Sequence, residues 1–371
     1  MELSSEDTFR LNVLLANNPQ AIRIDESAMV VYGLANQGEA KVVLNPTGRD
    51  QQYLKKVREL LSGHITGSPG GYPVFLKRWT RMGQMRDESL QQLLLLGEPE
   101  AVVAAVCSPG ITDELARRAW WVMQDAENAR RMLGSKAVLE GEMGKVLAEY
   151  LIEFLPFETE TEKIMESVRL VLQPGLTDTQ QRLNLWRKSA RKQAYQVGFL
   201  TALPDELPDQ DPPHRDFDKA FAALGAIAEA DNPVARQLLR ALDAPGQTFL
   251  KILQSVLTKP PTQDVVTAAL DAVRAYYAPL RPEGDPDLTL AELEAEADRW
   301  LGPDGSKDAG ICVGEAPEFT DALRAIRILS GAGYGIVRPV FRKTTSIGSL
   351  MRRKLEPVLR PLSEQIQHLS S

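Results

Sequence analysis

Residues 113–133, DELARRAWWVMQDAENARRML, carry the pattern that decides the fold. Apolar side chains recur in this stretch at steps of three and four, at Leu115, Ala119, Val122, Ala126, Ala129 and Leu133. That spacing is typical of an amphipathic helix, because it places one apolar stripe against a core. Polar residues such as Arg117 and Arg131 fall on the opposite side and would face water. The stretch therefore predicts a single amphipathic helix.

The same helical pattern extends from residue 50 to the end, interrupted by Gly and Pro rather than by strands. Before it, residues 21–34 and 40–44 are rich in β-branched side chains and flank Asn36-Gln37-Gly38, which predicts a small antiparallel hairpin. Its expected apolar positions are Ile22, Ile24, Val31 and Val43. The predicted class is predominantly all-α, either an irregular helical bundle or a helical-hairpin array, with a small N-terminal β-hairpin.

The length of 371 residues exceeds the size at which one hydrophobic core keeps growing, so two domains are expected. Residues 204–216, PDELPDQDPPHRD, contain four prolines and five acidic residues with hardly any apolar material. Such a composition is typical of a linker. It predicts an N-terminal domain over 1–203, a linker over 204–216, and a C-terminal helical domain with a basic tail over 217–371.

Composition and charge indicate the expected cellular location of the chain and the kind of partner it contacts. An acidic start and the absence of an 18-residue apolar run predict a cytoplasmic protein without a membrane span. The overall charge of −7 is uneven, since residues 204–319 carry −12 and residues 320–371 carry +6. This asymmetry implies either contact between the two regions or separate partners. Cys107 and Cys312 lie far apart and are interpreted as small buried hydrophobic residues.

The sequence lacks the residue patterns that most catalytic mechanisms require. The chain has three histidines, His64, His214 and His368, in segments interpreted as solvated, and no pattern that would hold a transition metal. It lacks a G-x-S-x-G nucleophile motif and a G-K-[ST] phosphate loop. We therefore expect no metal, no cofactor and no enzymatic activity. A metal-independent enzyme with a pocket of carboxylates and arginines stays open as an alternative, because sequence does not show such a pocket.

One candidate contact surface lies in residues 72–86, where cations alternate with apolar and aromatic side chains. Its members are Lys77, Arg78, Trp79 and Arg81. Cations beside a flat apolar side chain suit phosphates and stacked bases. The apolar steps of four and three fit an ordinary core-facing helix better.

Two further basic segments are candidates for contact with a partner. Residues 179–201 predict one continuous helix with a basic face, formed by Arg182, Arg187, Lys188, Arg191 and Lys192. The C-terminal segment contributes Arg338, Arg342, Lys343, Arg352, Arg353 and Lys354. A basic amphipathic segment of this kind suits an acidic protein surface, RNA or anionic lipid, and we rank protein first.

The N-terminal part of the sequence also resembles a known family. The similar stretches are MELSSEDTFRLNVLLANNPQAIRIDES, LNPTGRD, GSPGGYPVFLKRWTRMGQMRDESLQQLLLLGEPEAVVAAV, DELARRAWW and ESVRLVLQPGL, all within about the first 180 residues. They are similar to the DsrS family of sulfur reduction proteins, which is encoded with the reverse dissimilatory sulfite reductase system of sulfur-oxidising bacteria. The resemblance implies a soluble cytoplasmic accessory protein that supports sulfur oxidation, acting on the production or levels of the other proteins of that system.

The resemblance supplies no catalytic residues, cofactor or binding residues. A helical adaptor that scaffolds sulfur-oxidation proteins remains an alternative. The expected partner is a protein, possible partners include RNA, and neither a metal nor a membrane span is expected.

Overall fold

A computed structural model describes residues 2–72, 87–343 and 345–370. The chain divides into two compact units, Met1–Phe154 and Leu155–Ser371. This division differs from the predicted boundary, because residues 204–216 lie inside the second unit. There the Asp205 carboxylate lies 2.6 Å from the Arg240 guanidinium, and Asp211 lies 2.6 Å from Lys251. The acidic residues of this segment are thus used for internal pairing.

A three-stranded antiparallel sheet forms the N-terminal β element, with strands β1 (Ala21–Asp25), β2 (Val30–Ala35) and β3 (Gly38–Val43) in that order. The turn at Asn36 and Gln37 is as predicted. The first predicted strand is instead two strands, because the Asp25 carboxylate accepts hydrogen bonds from Ser27 and the Ala28 N–H and turns the chain.

The register of the sheet also corrects one predicted core position. Val31 pairs with both Ile24 and Val42, so these three side chains share a face. Val42 is buried, whereas Val43 is 50% exposed. The predicted apolar position was therefore wrong by one residue, which in a strand moves a side chain to the other face.

Helices of the first unit surround this sheet. They are α1 (Ser5–Ala16), α2 (Asp50–Thr66), α3 (Asp87–Leu93), α4 (Pro99–Val106), α5 (Asp113–Val122), α6 (Ala126–Met132), α7 (Lys136–Leu139) and α8 (Glu142–Phe154). Leu11 and Leu15 of α1 and Val57 and Leu61 of α2 pack with the inner face of the sheet in one core. The Asp7 carboxylate joins the same elements, since it accepts hydrogen bonds from the Tyr53 hydroxyl and the Asn45 N–H.

The stretch 113–133 is helical but not continuous, so the prediction of a single helix was wrong. Helix α5 ends at Val122, and the Asp125 carboxylate then accepts a hydrogen bond from the Asn128 N–H at 2.9 Å. That contact is an N-cap, which starts a new helix because it satisfies one of the first unpaired N–H groups. The apolar stripe still packs inward, since Leu115, Ala119 and Ala129 are buried.

The second unit is built from helices alone among its described residues. They are α9 (Thr161–Val171), α10 (Thr179–Ser189), α11 (Gln193–Ala202), α12 (Phe217–Glu229), α13 (Pro233–Leu242), α14 (Ala244–Thr258), α15 (Gln263–Tyr276), α16 (Leu290–Leu301), α17 (Lys307–Glu315), α18 (Thr320–Ser330), α19 (Tyr334–Phe341) and α20 (Gly348–Gln367), with short 3₁₀ turns at Ala278–Leu280 and Pro317–Phe319. Its core includes the stacked rings of Phe249 and Tyr276, whose centroids lie 4.2 Å apart.

The predominantly all-α class with a small N-terminal β element is confirmed. Across the part of the chain that the structure describes, no helix combines the length and the apolar character needed to cross a bilayer.

Candidate functional site

The predicted basic segments differ in how the structure places them and in whether their charges are paired. Lys77, Arg78, Trp79 and Arg81 lie outside the described residues. Arg338 contacts Asp287 through both the carboxylate and, at 3.0 Å, the backbone carbonyl. Its charge is therefore paired inside the second unit.

The basic face predicted over 179–201 is split between two helices. Helix α10 starts with a capping box, in which the Gln181 N–H donates to the Asp178 carboxylate at 2.7 Å, and it ends at Ser189. Helix α11 begins at Gln193, so the prediction of one helix was wrong. Trp186 fixes the end of α10, because its indole N–H donates to Asp209 at 2.9 Å.

Four of the predicted cations remain together at this turn, and we refer to them as the corner patch. They are Arg187, Lys188, Arg191 and Lys192, all exposed. Arg182 lies apart from them, since it is half-buried and its guanidinium is 3.9 Å from the Glu206 carboxylate. Two cations of the patch occupy the last turn of α10, where the negative end of the helix dipole favours positive charge.

A groove of about 470 Å³ contains two of the C-terminal candidates. It is lined by Leu257, Thr258, Lys259, Pro260, Arg352, Arg353, Glu356, Leu359, Arg360 and Ser363. These residues come from the end of α14, from the loop that follows it, and from residues 352–363 of α20. We call this the basic groove, and its cations are Lys259, Arg352, Arg353 and Arg360.

The start of α20 is fixed by two local features. Gly348 has a φ of +61°, in the left-handed region that favours glycine, and its N–H donates to the Pro261 carbonyl at 3.2 Å. The Arg352 guanidinium donates to the neighbouring Pro260 carbonyl at 3.3 Å. The first turns of α20 are thereby held against the loop that follows α14.

Helix α20 is amphipathic, and its charged side forms one wall of the groove. Its buried side chains recur at steps of four, four and three, namely Met351, Leu355, Leu359 and Leu362. The opposite side presents Arg353, Glu356 and Arg360 to solvent. This arrangement follows from the helical period, since residues three and four apart share a face.

The charges of the groove do not cancel. Four cations face a single lining carboxylate, Glu356, which leaves a net charge of +3 from the lining residues. Arg360 lies 3.6 Å from Glu364, with both side chains exposed, and such a pair contributes only about 0–1 kcal/mol. The groove therefore offers positive charge to an external group.

The corner patch approaches the same end of α14. The Gln193 amide donates to the Ser255 carbonyl at 3.4 Å, next to Lys192 in sequence. Ser255 precedes Lys259 by four residues, a rise of about 6 Å along a helix. The corner patch and the basic groove thus flank one helix end within the second unit. The exposed Arg342 and Lys343 directly follow helix α19, and the Lys354 ammonium donates to the Ser346 hydroxyl at 3.3 Å.

A different set of arginines, buried in the second unit, meets two carboxylates, of which Glu296 is 20% and Glu283 is 55% exposed. We refer to Arg281, Arg327, Glu283 and Glu296 as the buried cluster. Arg281 is 5% and Arg327 is 6% exposed. Arg281 donates to Glu296 at 2.8 Å, while Arg327 contacts Glu283, Glu296 and the Leu280 carbonyl. No local sequence pattern predicts this cluster, because its members are up to 46 residues apart in the chain.

The positive and negative charges of the buried cluster balance one another. Burial alone would raise the pKa of Glu296, but hydrogen bonds and charge attraction from Arg327 and Arg281 hold it below its ordinary value. Two guanidinium groups and two carboxylates neutralise one another. The cluster joins the loop after Leu280 to helices α16 and α18, and the buried Arg281 Nε has no hydrogen-bond partner among the described residues.

The cysteines and histidines correct two further interpretations. Cys312 is buried, as expected, and burial raises the pKa of its thiol to about 11. Cys107 is instead exposed, with its Sγ 2.7 Å from the Arg131 guanidinium. His214 was interpreted as solvated, but its side chain is only 10% exposed. In the described part of the chain, no three His, Cys, Asp or Glu side chains are placed to hold a metal ion.

Compared with family models, with curated proteins and with solved structures, the chain matches none of them.

Proposed function

We propose that this chain is a binding protein whose basic groove takes an acidic segment of another protein. The observation that carries the proposal is the net charge of +3 at the groove, on side chains with weak or no internal carboxylate partners. Positive potential of this kind attracts and orients an acidic partner. The corner patch beside the same helix end extends the positive surface.

The floor of the groove favours a peptide over single-stranded RNA. Leu257 and Leu359 contribute apolar surface between the cations. None of the ten lining residues is aromatic, whereas proteins that bind single strands usually stack bases on aromatic rings. An acidic segment with an interspersed apolar side chain matches both the charge and the floor.

The cellular role that we propose follows the resemblance to the DsrS family. In that role the chain is a cytoplasmic accessory protein of sulfur oxidation, and it acts through its protein partner on the production or levels of the sulfite reductase system. A deletion strain should then show reduced sulfur oxidation together with reduced amounts of those proteins. Unchanged values of both would reject this role while leaving the binding proposal intact.

The binding proposal is tested with two labelled probes, a synthetic peptide of glutamates with interspersed leucines and an oligouridylate of similar charge. We expect Arg353→Gln with Arg360→Gln to weaken peptide binding about 2- to 30-fold, since each exposed charge contributes about 0.2–1 kcal/mol. Fluorescence anisotropy at several salt concentrations measures the change.

The matched control removes two exposed lysines of the first unit, Lys55→Gln with Lys145→Gln, and should leave the affinity unchanged. Equal loss in both variants would mean that only net charge matters and would reject the groove. Tight binding of the oligouridylate with weak binding of the peptide would replace the protein partner with a nucleic acid.

A further inference from the structure

A second cavity in the same unit gathers two of the three histidines. It has a volume of about 290 Å³ and lies where the segment after residue 213, the start of α18 and the end of α20 meet. His214 and His368, which are far apart in the sequence, both line it. The cavity has room for about ten non-hydrogen atoms, if each takes ~30 Å³ as a water does in the liquid. That is the size of a small metabolite.

His214 is the best-fixed polar group of this cavity. Its Nδ1 accepts a hydrogen bond from the Asp216 N–H at 3.1 Å, so the neutral ring carries its proton on Nε2. Burial lowers the pKa of His214, and this effect outweighs the attraction of Asp216. At neutral pH the ring is therefore a neutral donor at Nε2.

The charged groups around the cavity are mostly paired. Lys219 lies 2.9 Å from Glu318, and Arg215 lies 3.5 Å from Asp216. The carboxylate left over is Asp321. Its neighbour along α18, Arg324, is bonded to Asp298 at 2.6 Å, and no cation of the described residues lies within 4 Å of Asp321.

The balance of charges on the cavity lining determines which kind of ligand fits. The lining carries three carboxylates against two cations, a net charge of −1 when both histidines are neutral. We propose that the cavity binds a small molecule with a primary ammonium group beside a hydrogen-bond acceptor. Asp321 receives the ammonium, and the Nε2–H of His214 donates to the acceptor.

The site is sensitive to pH. His214 becomes cationic only at a pH below about 6.5, the ordinary value for histidine, because burial lowers its pKa. The titratable and charged groups that face it are Arg215, Lys219, Asp216, Glu318, Asp321 and His368. Because this protonation adds one positive charge to the lining, affinity for an ammonium group falls on acidification.

Calorimetric titration of the full chain at about pH 8 tests this proposal with three probes. They are ethanolamine, L-serine and acetate. We expect the two ammonium compounds to bind and acetate not to bind. The preference between them distinguishes an amino alcohol from an amino acid as the source of the ammonium group.

Asp321→Asn should weaken the ammonium probe at least about 10-fold, a change of about 1.4 kcal/mol. The control Asp304→Asn removes an exposed carboxylate outside the cavity and should have no effect. Binding in the wild type should also weaken as the pH falls below about 6.5.

Dissociation constants above ~10 mM for both ammonium probes, equal binding of acetate, or equal affinity in Asp321→Asn and Asp304→Asn would each overturn the proposal. The groove variant Arg353→Gln with Arg360→Gln should retain this binding, so the two proposals fail independently.

Discussion

The basic groove and the buried cluster use the same residue types with opposite results. In the buried cluster, Arg281 and Arg327 are almost fully enclosed and face Glu283 and Glu296, so that positive and negative charges cancel. In the groove, four cations face one carboxylate and stay accessible. The difference teaches that an arginine contributes to stability when its neighbours satisfy it and to binding when they do not.

The largest test of this contrast removes one arginine from the buried cluster. Arg327→Met keeps an unbranched apolar side chain but leaves Glu296 and Glu283 with Arg281 as their remaining cation. Breaking a fully buried ion pair on one side costs about 3–5 kcal/mol, and the partial exposure of the two carboxylates places the expected cost at the lower end of that range. Urea unfolding followed by circular dichroism should show this loss. A cost of less than ~1 kcal/mol would mean that the cluster is solvated and would remove the contrast.

A second test uses the lowered pKa of Glu296. The unfolded chain takes up its proton near the ordinary value of 4.5, above the folded value, so the stabilising contribution is complete above that pH. It is lost as the pH falls through the lower, folded pKa. We therefore expect the wild type to lose more stability than Arg327→Met as the pH falls from about 5.5 to about 3, in parallel urea titrations. Equal losses would show that Arg327 does not lower this pKa.

The smallest expected effect belongs to the groove. Arg353→Met should change the free energy of unfolding by no more than about 0.5 kcal/mol, since its side chain is exposed and lines an open groove. The same denaturation experiment measures it beside Arg327→Met. A loss of several kcal/mol would mean that Arg353 stabilises the fold. It would therefore contradict the proposal that this side chain serves binding.

Local sequence was sufficient for the fold class and insufficient for the breaks within helices. The hairpin turn at Asn36 and the apolar stripe around Leu115 follow from patterns over a few residues. The breaks before Asp125 and after Ser189 come from single caps and from a tertiary contact, that of Trp186 with Asp209. The periodic pattern of apolar residues does not reveal such contacts, because the apolar stripe continues across the break between the two helices.

The candidate site was predictable only in part, for the same reason. Arg352 and Arg353 stood out in the sequence as exposed cations on an amphipathic helix, and they do line a groove. Lys259 was not expected there, because its position depends on the contact between Gly348 and Pro261. Similarly, His214 and His368 are 154 positions apart, and only the packing of α20 brings them to one cavity.

The balanced charges of the buried cluster constrain how the sequence can vary among relatives. Because Arg281, Arg327, Glu283 and Glu296 satisfy one another, a single replacement is costly, whereas a joint replacement of one arginine and one glutamate by apolar residues is much less so. We therefore expect these four positions to be retained or lost together over generations of mutation. The cations of the groove do not depend on one another in this way. Each can therefore be replaced singly as the partner changes.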